Sequence, residues 1–196
     1  YEIYLSATSK LVVETFKISR ERYDIGSEAL IQILLVRDND RLPAAGAVLE
    51  YDGKEYTANA SGYVTIPISS MDVGKFTVMP QLVDYHGVKV IKYKVVPFVI
   101  FDAIEIYRTE HFPNAKRVDV GTGVKIKLYA RYAYDKQPFK GVLRVCNISS
   151  QGEGIFTFTL RRNEVGKLTV KVDSAADTLY GLSKVLQKPF DIISVS

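Results

Sequence analysis

The chain contains itself twice. The stretch from Asp24-Ile25-Gly26 to Asp40-Arg41-Leu42-Pro43-Ala44-Ala45-Gly46 returns as Asp119-Val120-Gly121 to Asp135-Lys136-Gln137-Pro138-Phe139-Lys140-Gly141, at a constant offset of 95 residues. Later, Gly62 matches Gly154, Asp72-Val73-Gly74-Lys75 matches Glu164-Val165-Gly166-Lys167, and Pro97-Phe98 matches Pro189-Phe190, each at an offset of 92. The change of offset assigns a loss of three residues to a single loop. Solenoid repeats run to roughly 50 residues at most, so a period this long fits one small sandwich domain per copy. The expected domains are 1–102, with an N-terminal extension over 1–10, and 103–196, joined near Phe101-Asp102-Ala103.

Within each copy the apolar residues recur every second position. In the second copy Val124, Ile126, Leu128 and Ala130 alternate with Lys125, Lys127, Tyr129 and Arg131, which gives one core face and one face in water. Shifted back by 95, the inward set becomes Ala29, Ile31, Ile33 and Leu35. Val64, Ile66 and Ile68 correspond likewise to Phe156, Phe158 and Leu160, and Phe76 and Val78 to Leu168 and Val170. First strands are expected over 12–18 and 103–108, and last strands over 88–96 and 182–187. No sustained 3.6-residue period occurs, and the best helical candidate, 174–179, is short. These are half-buried antiparallel strands. About seven strands in about 95 residues make each copy an immunoglobulin-like antiparallel β-sandwich, and the fold class all-β.

Composition narrows the functional classes. No apolar run reaches the roughly 18 residues of a membrane span. No secretory leader is legible and the chain starts at Tyr1, so a processed mature protein or a piece of a longer one is expected. The single cysteine, Cys146, excludes an internal disulfide. It is read as a structural thiol in a strand beside Val145. Scarce Cys, Met and Trp beside abundant Ile, Val, Tyr, Lys and Arg lean toward a thermophilic source. The net charge of +4 is uneven, with residues 1–102 at −2 and the remainder at +6. Opposed patches of this kind steer association.

Turn chemistry punctuates the strands. In Asp-x-x-Pro-x-x-Gly the aspartate accepts hydrogen bonds from following amides, proline presets φ, and glycine takes up a conformation closed to other residues. Calcium binding by Asp38, Asp40 and Asp135 is the alternative, and Asp38-Asn39-Asp40 lacks the glutamate that an EF-hand loop needs. The order of Gly26, Asp40, Pro43, Gly46, Gly62 and the run from Gly74 to Val78, with its second-copy counterparts, resembles the repeated modules of bacterial immunoglobulin-like and macroglobulin-type cell-surface proteins. An archaeal surface-layer or filament protein is included in that resemblance. It implies spacers, adhesins and building blocks of surface layers or filaments, and supplies no catalytic residue or cofactor to carry over.

Few residues stand out as functional. Two sequons, Asn59-Ala60-Ser61 and Asn147-Ile148-Ser149, are read as glycan acceptors in the same loop of the two copies. The outer face of the second strand differs between copies. Where copy two places Lys125, Tyr129 and Arg131 in water, copy one places Leu30, Leu34 and Val36, an apolar face that needs cover from 1–10, from the partner domain or from a neighbouring subunit. His86 and His111 have no metal-ligand spacing and lie near no nucleophile motif. The stripe of Lys125, Lys127 and Arg131 with Arg161-Arg162 lacks the interleaved aromatic platform that single-stranded nucleic acid needs. The expectation is a non-enzymatic extracellular structural or adhesive protein without cofactor, metal or nucleic acid. Its partners are neighbouring protein subunits or domains, a homo-oligomer among them. The alternative is a carbohydrate- or protein-recognition module of a larger secreted enzyme or receptor.

Overall fold

A computed structural model describes residues 10–187 and 189–196. Its first ten strands are β1 (Leu11–Lys17), β2 (Tyr23–Asp24), β3 (Glu28–Arg37), β4 (Val48–Tyr51), β5 (Lys54–Thr57), β6 (Tyr63–Ser69), β7 (Gly74–Thr77), β8 (Gln81–Asp84), β9 (Ile91–Tyr93) and β10 (Phe98–Asp102). The second ten are β11 (Ile104–Phe112), β12 (Arg117–Val118), β13 (Val124–Tyr132), β14 (Lys140–Val145), β15 (Ile148–Glu153), β16 (Ile155–Leu160), β17 (Gly166–Val170), β18 (Val172–Asp177), β19 (Val185–Leu186) and β20 (Phe190–Val195). The described residues contain no helix.

The duplication extends to topology. Sheet order β6-β3-β1-β9 in the first copy becomes β16-β13-β11-β19 in the second, β2-β10-β7 becomes β12-β20-β17, and β5-β4-β8 becomes β15-β14-β18. Each copy is an immunoglobulin-like sandwich in which the four-stranded sheet faces the two shorter ones. Along β13 burial alternates from Val124 to Ala130, because side chains of a strand point alternately to either face. In the second copy Ile126, Leu128, Phe156 and Phe158 of the four-stranded sheet share one core with Leu143, Val145, Val170 and Ile193 of the facing sheets. In the first, Ile31, Ile33, Leu35, Leu49, Val64, Ile66, Val78 and Val99 are fully buried.

The chain forms two compact units. One takes the chain up to Glu21, Gly26–Ser70 and Lys75–Ile100, and the other takes Arg22–Ile25, Met71–Gly74 and Phe101–Ser196. The short segment containing β2 thus belongs to the second unit. There Tyr23 and Asp24 pair in parallel with Phe101 and Asp102 of β10.

Several expectations are corrected. The last strands are not 88–96 and 182–187, which hold only the short β9 and β19. They are β10 and β20, and β20 pairs antiparallel with β17. Each directly follows a proline, Pro97 or Pro189, and proline is at home beside the first residue of a strand. The helical candidate 174–179 mostly forms β18, because Ser174, Ala175, Ala176 and Asp177 complete the ladder along β14. Cys146 lies outside a strand. With Asn147 it makes the two-residue turn between β14 and β15, both at positive φ (47° and 64°), the backbone twist that joins antiparallel strands in a tight hairpin. Asp52-Gly53 is the equivalent turn of copy one, at an offset of 94 residues. The missing three residues are therefore split, one before this hairpin and two after it.

The Asp-x-x-Pro turn works as read, with one change. Asp40 Oδ1 accepts from the Leu42 amide and Asp135 Oδ1 from the Gln137 amide. Arg41 and Lys136, each at φ 62°, lie in the left-handed region in both copies, and the closing glycine joins them only in copy one, where Gly46 has φ 80°. Pro43 and Pro138 form isolated bridges to Val36 and Arg131. Gly62 and Gly154 then pass close by. A Cβ on Gly62 would meet the Leu35 carbonyl oxygen at 2.6 Å, and one on Gly154 would touch Pro138.

Candidate interaction surface

A densely bonded polar cluster lies in the second unit and has little signature in the sequence. Arg22 is buried, and its Nη1 donates to Asp102 Oδ2 at 2.8 Å and its Nη2 to Asp135 Oδ2 at 2.5 Å. Its guanidinium carbon stands 4.0 Å from the centroid of the Tyr180 ring and 5.4 Å from those of Tyr132 and Tyr134. Burial works against the guanidinium charge, but the two carboxylates outweigh it, and the Arg22 pKa is raised. Asp102 is fully buried, and its second oxygen accepts from the amides of Ala103 and Tyr134. Tyr132 donates to Asp177 Oδ1 at 2.7 Å, and Asp177 in turn accepts from the amides of Leu179, Tyr180 and Leu182, which fixes the loop carrying the Tyr180 ring. Asp24 takes the Ser183 and Lys184 amides. Two tyrosines spaced by two before Asp135 were the only hint in the sequence. Arg22 itself is one of many surface-type cations until the fold buries it.

The outer face of β13 and β11 carries the predicted stripe. Lys125 and Lys127 are exposed, while Arg131 is half-buried. Arg131 Nε donates to Glu105 at 2.9 Å, Lys136 reaches the same carboxylate at 3.1 Å, and the Arg131 guanidinium lies 4.3 Å from the Tyr107 ring centroid. Arg108 lies over Tyr129 at 4.9 Å and pairs with Glu110, which also accepts from the Tyr129 hydroxyl at 2.9 Å. Aromatic residues are thus interleaved with cations after all, contrary to the sequence reading. Each of these two rings already holds a guanidinium, however, so the ladder is satisfied internally. Lys125 and Lys127, which pair by register with Phe112 and Glu110, form its open end.

The same face of the first copy carries Leu30 and Leu34 on either side of the exposed Gln32, which pairs with Thr65. Leu30 is 53% exposed, Leu34 is half-buried beside Tyr63, and their β6 neighbours are Pro67 and Tyr63. Val36 departs from the expectation. It is buried, because β1 pairs it with Val12 and the Pro43 bridge lies on its other side. The strand needs cover over Leu30 and Leu34 only. Residues 1–9 of the proposed covering segment 1–10 lie outside the described residues.

The sequons occupy different loops. Asn59 sits between β5 and β6, where its Oδ1 accepts from the Ser61 and Tyr63 amides at 3.0 Å each. Asn147 sits in the β14–β15 hairpin turn, and its Oδ1 accepts from Arg144. Both are exposed, but they do not correspond between copies, because the repeat places Asn147 opposite Gly53 rather than Asn59. Asp40 and Asp135 are engaged by Arg37 and Arg22 and by turn amides. His111 contacts the Pro113 carbonyl and His86 packs edge-on against Tyr85. Among the described residues no group of three or more His, Cys, Asp or Glu side chains is placed to hold a metal, and no helix is long and apolar enough to cross a membrane.

No family model matches the chain and no curated protein matches it. Solved structures do. The Escherichia coli adhesin FdeC matches at 15% identity and a TM-score of 0.40, over 96% of this chain and 64% of its own. The D0-D1 domain of intimin matches at 12% and 0.34, over 92% and 98%. The fibronectin(III)-like modules of Clostridium thermocellum CbhA match at 14% and 0.34, over 92% and 93%. The chain therefore spans less than two thirds of the first of these.

Proposed function

We propose that this chain is a non-enzymatic, extracellular structural or adhesive module that works through protein–protein contacts, as a unit of a surface layer, a filament or an adhesin. One observation carries the reading. The inward residues of the two copies occupy the same register, Ala29, Ile31, Ile33 and Leu35 against Val124, Ile126, Leu128 and Ala130, while the outward residues have diverged from Leu30 and Leu34 to Lys125 and Tyr129. A scaffold requirement holds one face constant and leaves the other free. The free face carries an exposed Leu30 and a half-buried Leu34 flanking Gln32 in one copy and a cation–aromatic ladder in the other. An aromatic, arginine-bearing surface is the composition enriched where proteins meet.

The test compares the parent chain with Leu30→Asp and with the Lys125→Glu/Lys127→Glu double variant, by sedimentation velocity and electron microscopy. Concentration-dependent, regular assemblies that either substitution weakens support the reading. A monomer at every concentration, retained on a glycan array, places the chain instead among carbohydrate-recognition modules.

A further inference from the structure

The two copies differ at one inward position of the edge strand. Phe16 of β1 stands opposite Ile33, and Thr109 of β11 stands opposite Leu128, so the two are equivalent. In copy one the Phe16 ring meets the Phe98 ring edge-on at 5.4 Å, and Lys75 covers Phe98 at 4.1 Å. In copy two Phe190 replaces Phe98, and Thr109 leaves the place of the first ring empty. Thr109 is exposed although its strand partner Leu128 is fully buried. The result is a groove of about 680 Å³ lined by Ile106, Thr109, Val185, Leu186 and Phe190, with Glu105 and Arg108 at its rim. The backbone beside it is open as well. β19 pairs with β11 only at Ile104 and Glu105, and among the described residues no strand pairs that edge from Ile106 to Phe112. An unpaired edge beside a groove is the geometry of strand addition.

We propose that this groove and edge receive residues 1–9 of a second copy of the chain as an added strand. The inference rests on the assembly reading above and names its contact. The segment Tyr1-Glu2-Ile3-Tyr4-Leu5-Ser6-Ala7-Thr8-Ser9 alternates, with Tyr1, Ile3, Leu5 and Ala7 on one face. Nine residues span about 30 Å as a strand, and the five from 108 to 112 beyond the β11 bulge need about 17 Å. Its only charged side chain, Glu2, is complementary to the +6 of residues 103–196. A tyrosine ring enters where copy one uses its own Phe16. The bulge at Tyr107, between Ile106 and Arg108, limits addition to the far half of the edge.

Sedimentation velocity of the full chain tests this with Thr109→Phe, a substitution whose product copy one already accommodates. The expected result is association of the parent that weakens roughly tenfold or more in Thr109→Phe, as for loss of an interface hot spot, with unchanged melting temperature. A synthetic peptide of residues 1–9 in excess then competes with the parent's association. Association unaffected by both Thr109→Phe and the peptide overturns the inference; if Lys125→Glu/Lys127→Glu abolishes that association, the broader assembly reading survives. A parent that stays monomeric and does not bind the peptide overturns the inference directly.

Discussion

Arg22 and Asp102, eighty positions apart, form a buried ion pair at 2.8 Å, closed on one side by Asp135 and on the other by the Tyr180 ring. Both partners have left water, so each depends on the other for solvation. Arg22→Ala is expected to cost about 3–5 kcal/mol, because it strands a carboxylate with no exposure, and Asp102→Ala a similar amount. Chemical denaturation of both single variants and of the double variant checks this. The double variant should lose clearly less than the sum, since each single change already breaks the same pair.

Tyr132→Phe removes the hydroxyl that donates to Asp177 and leaves ring packing against Phe139 and Tyr180 in place. A net loss of about 1.5–3 kcal/mol is expected from one hydrogen bond to a charged acceptor. Hydrogen exchange at the Leu179, Tyr180 and Leu182 amides should rise in the same variant, because Asp177 loses the contact that orients it toward them.

Acid should destabilise the fold in a defined window. The Glu105 carboxyl is held below its ordinary 4.5 first by the Arg131 hydrogen bond, against burial, and then by Lys136. Burial alone would raise Asp135, but Arg22 and the Gln137 amide outweigh it and hold it below 3.8. Folded values below unfolded ones mean that the unfolded chain binds more protons in acid. The stabilisation is complete at neutral pH and is lost as pH falls through the ordinary values toward the depressed ones. The melting temperature should be flat from about pH 6 to 8 and fall below about pH 5. Glu105→Gln/Asp135→Asn should flatten that fall.

Two glycines at similar φ should respond differently to alanine. A Cβ added at Gly46 (φ 80°) would have nothing within 4 Å, so Gly46→Ala incurs only left-handed strain, about 1–2 kcal/mol. Gly62 (φ 82°) adds the Leu35 carbonyl at 2.6 Å and Pro43 at 3.1 Å. Gly62→Ala should therefore lose appreciably more in thermal denaturation than Gly46→Ala.

Much of this architecture is written locally in the chain. The alternation from Ala29 to Leu35 and from Val124 to Ala130 depends only on which residues face a core, and the turn at Asp40 to Pro43 only on neighbours in sequence, so both were legible. The closing strands β10 and β20 were not, since Pro97 and Pro189 read as breaks until the ladders on either side are known. The Cys146-Asn147 turn was obscured because neither residue is glycine, although its partner Asp52-Gly53 is a common hairpin pair. Arg22 illustrates the larger gap. Its meaning arises from Asp102, Asp135 and Tyr180, up to 158 positions away, and no local pattern announces such a meeting. The cover of Val36 was hidden for the same reason, because Val12 and Pro43 reach it from separate segments.

The divergence of the outward faces is tested most directly by sedimentation velocity on the parent chain over a wide concentration range, beside Leu30→Asp and Lys125→Glu/Lys127→Glu variants with unchanged circular dichroism. Concentration-dependent association in the parent that is weakened in one or both variants is the expected result. A parent that remains monomeric throughout, or that associates identically in both variants, would contradict the assignment of these faces to subunit contacts.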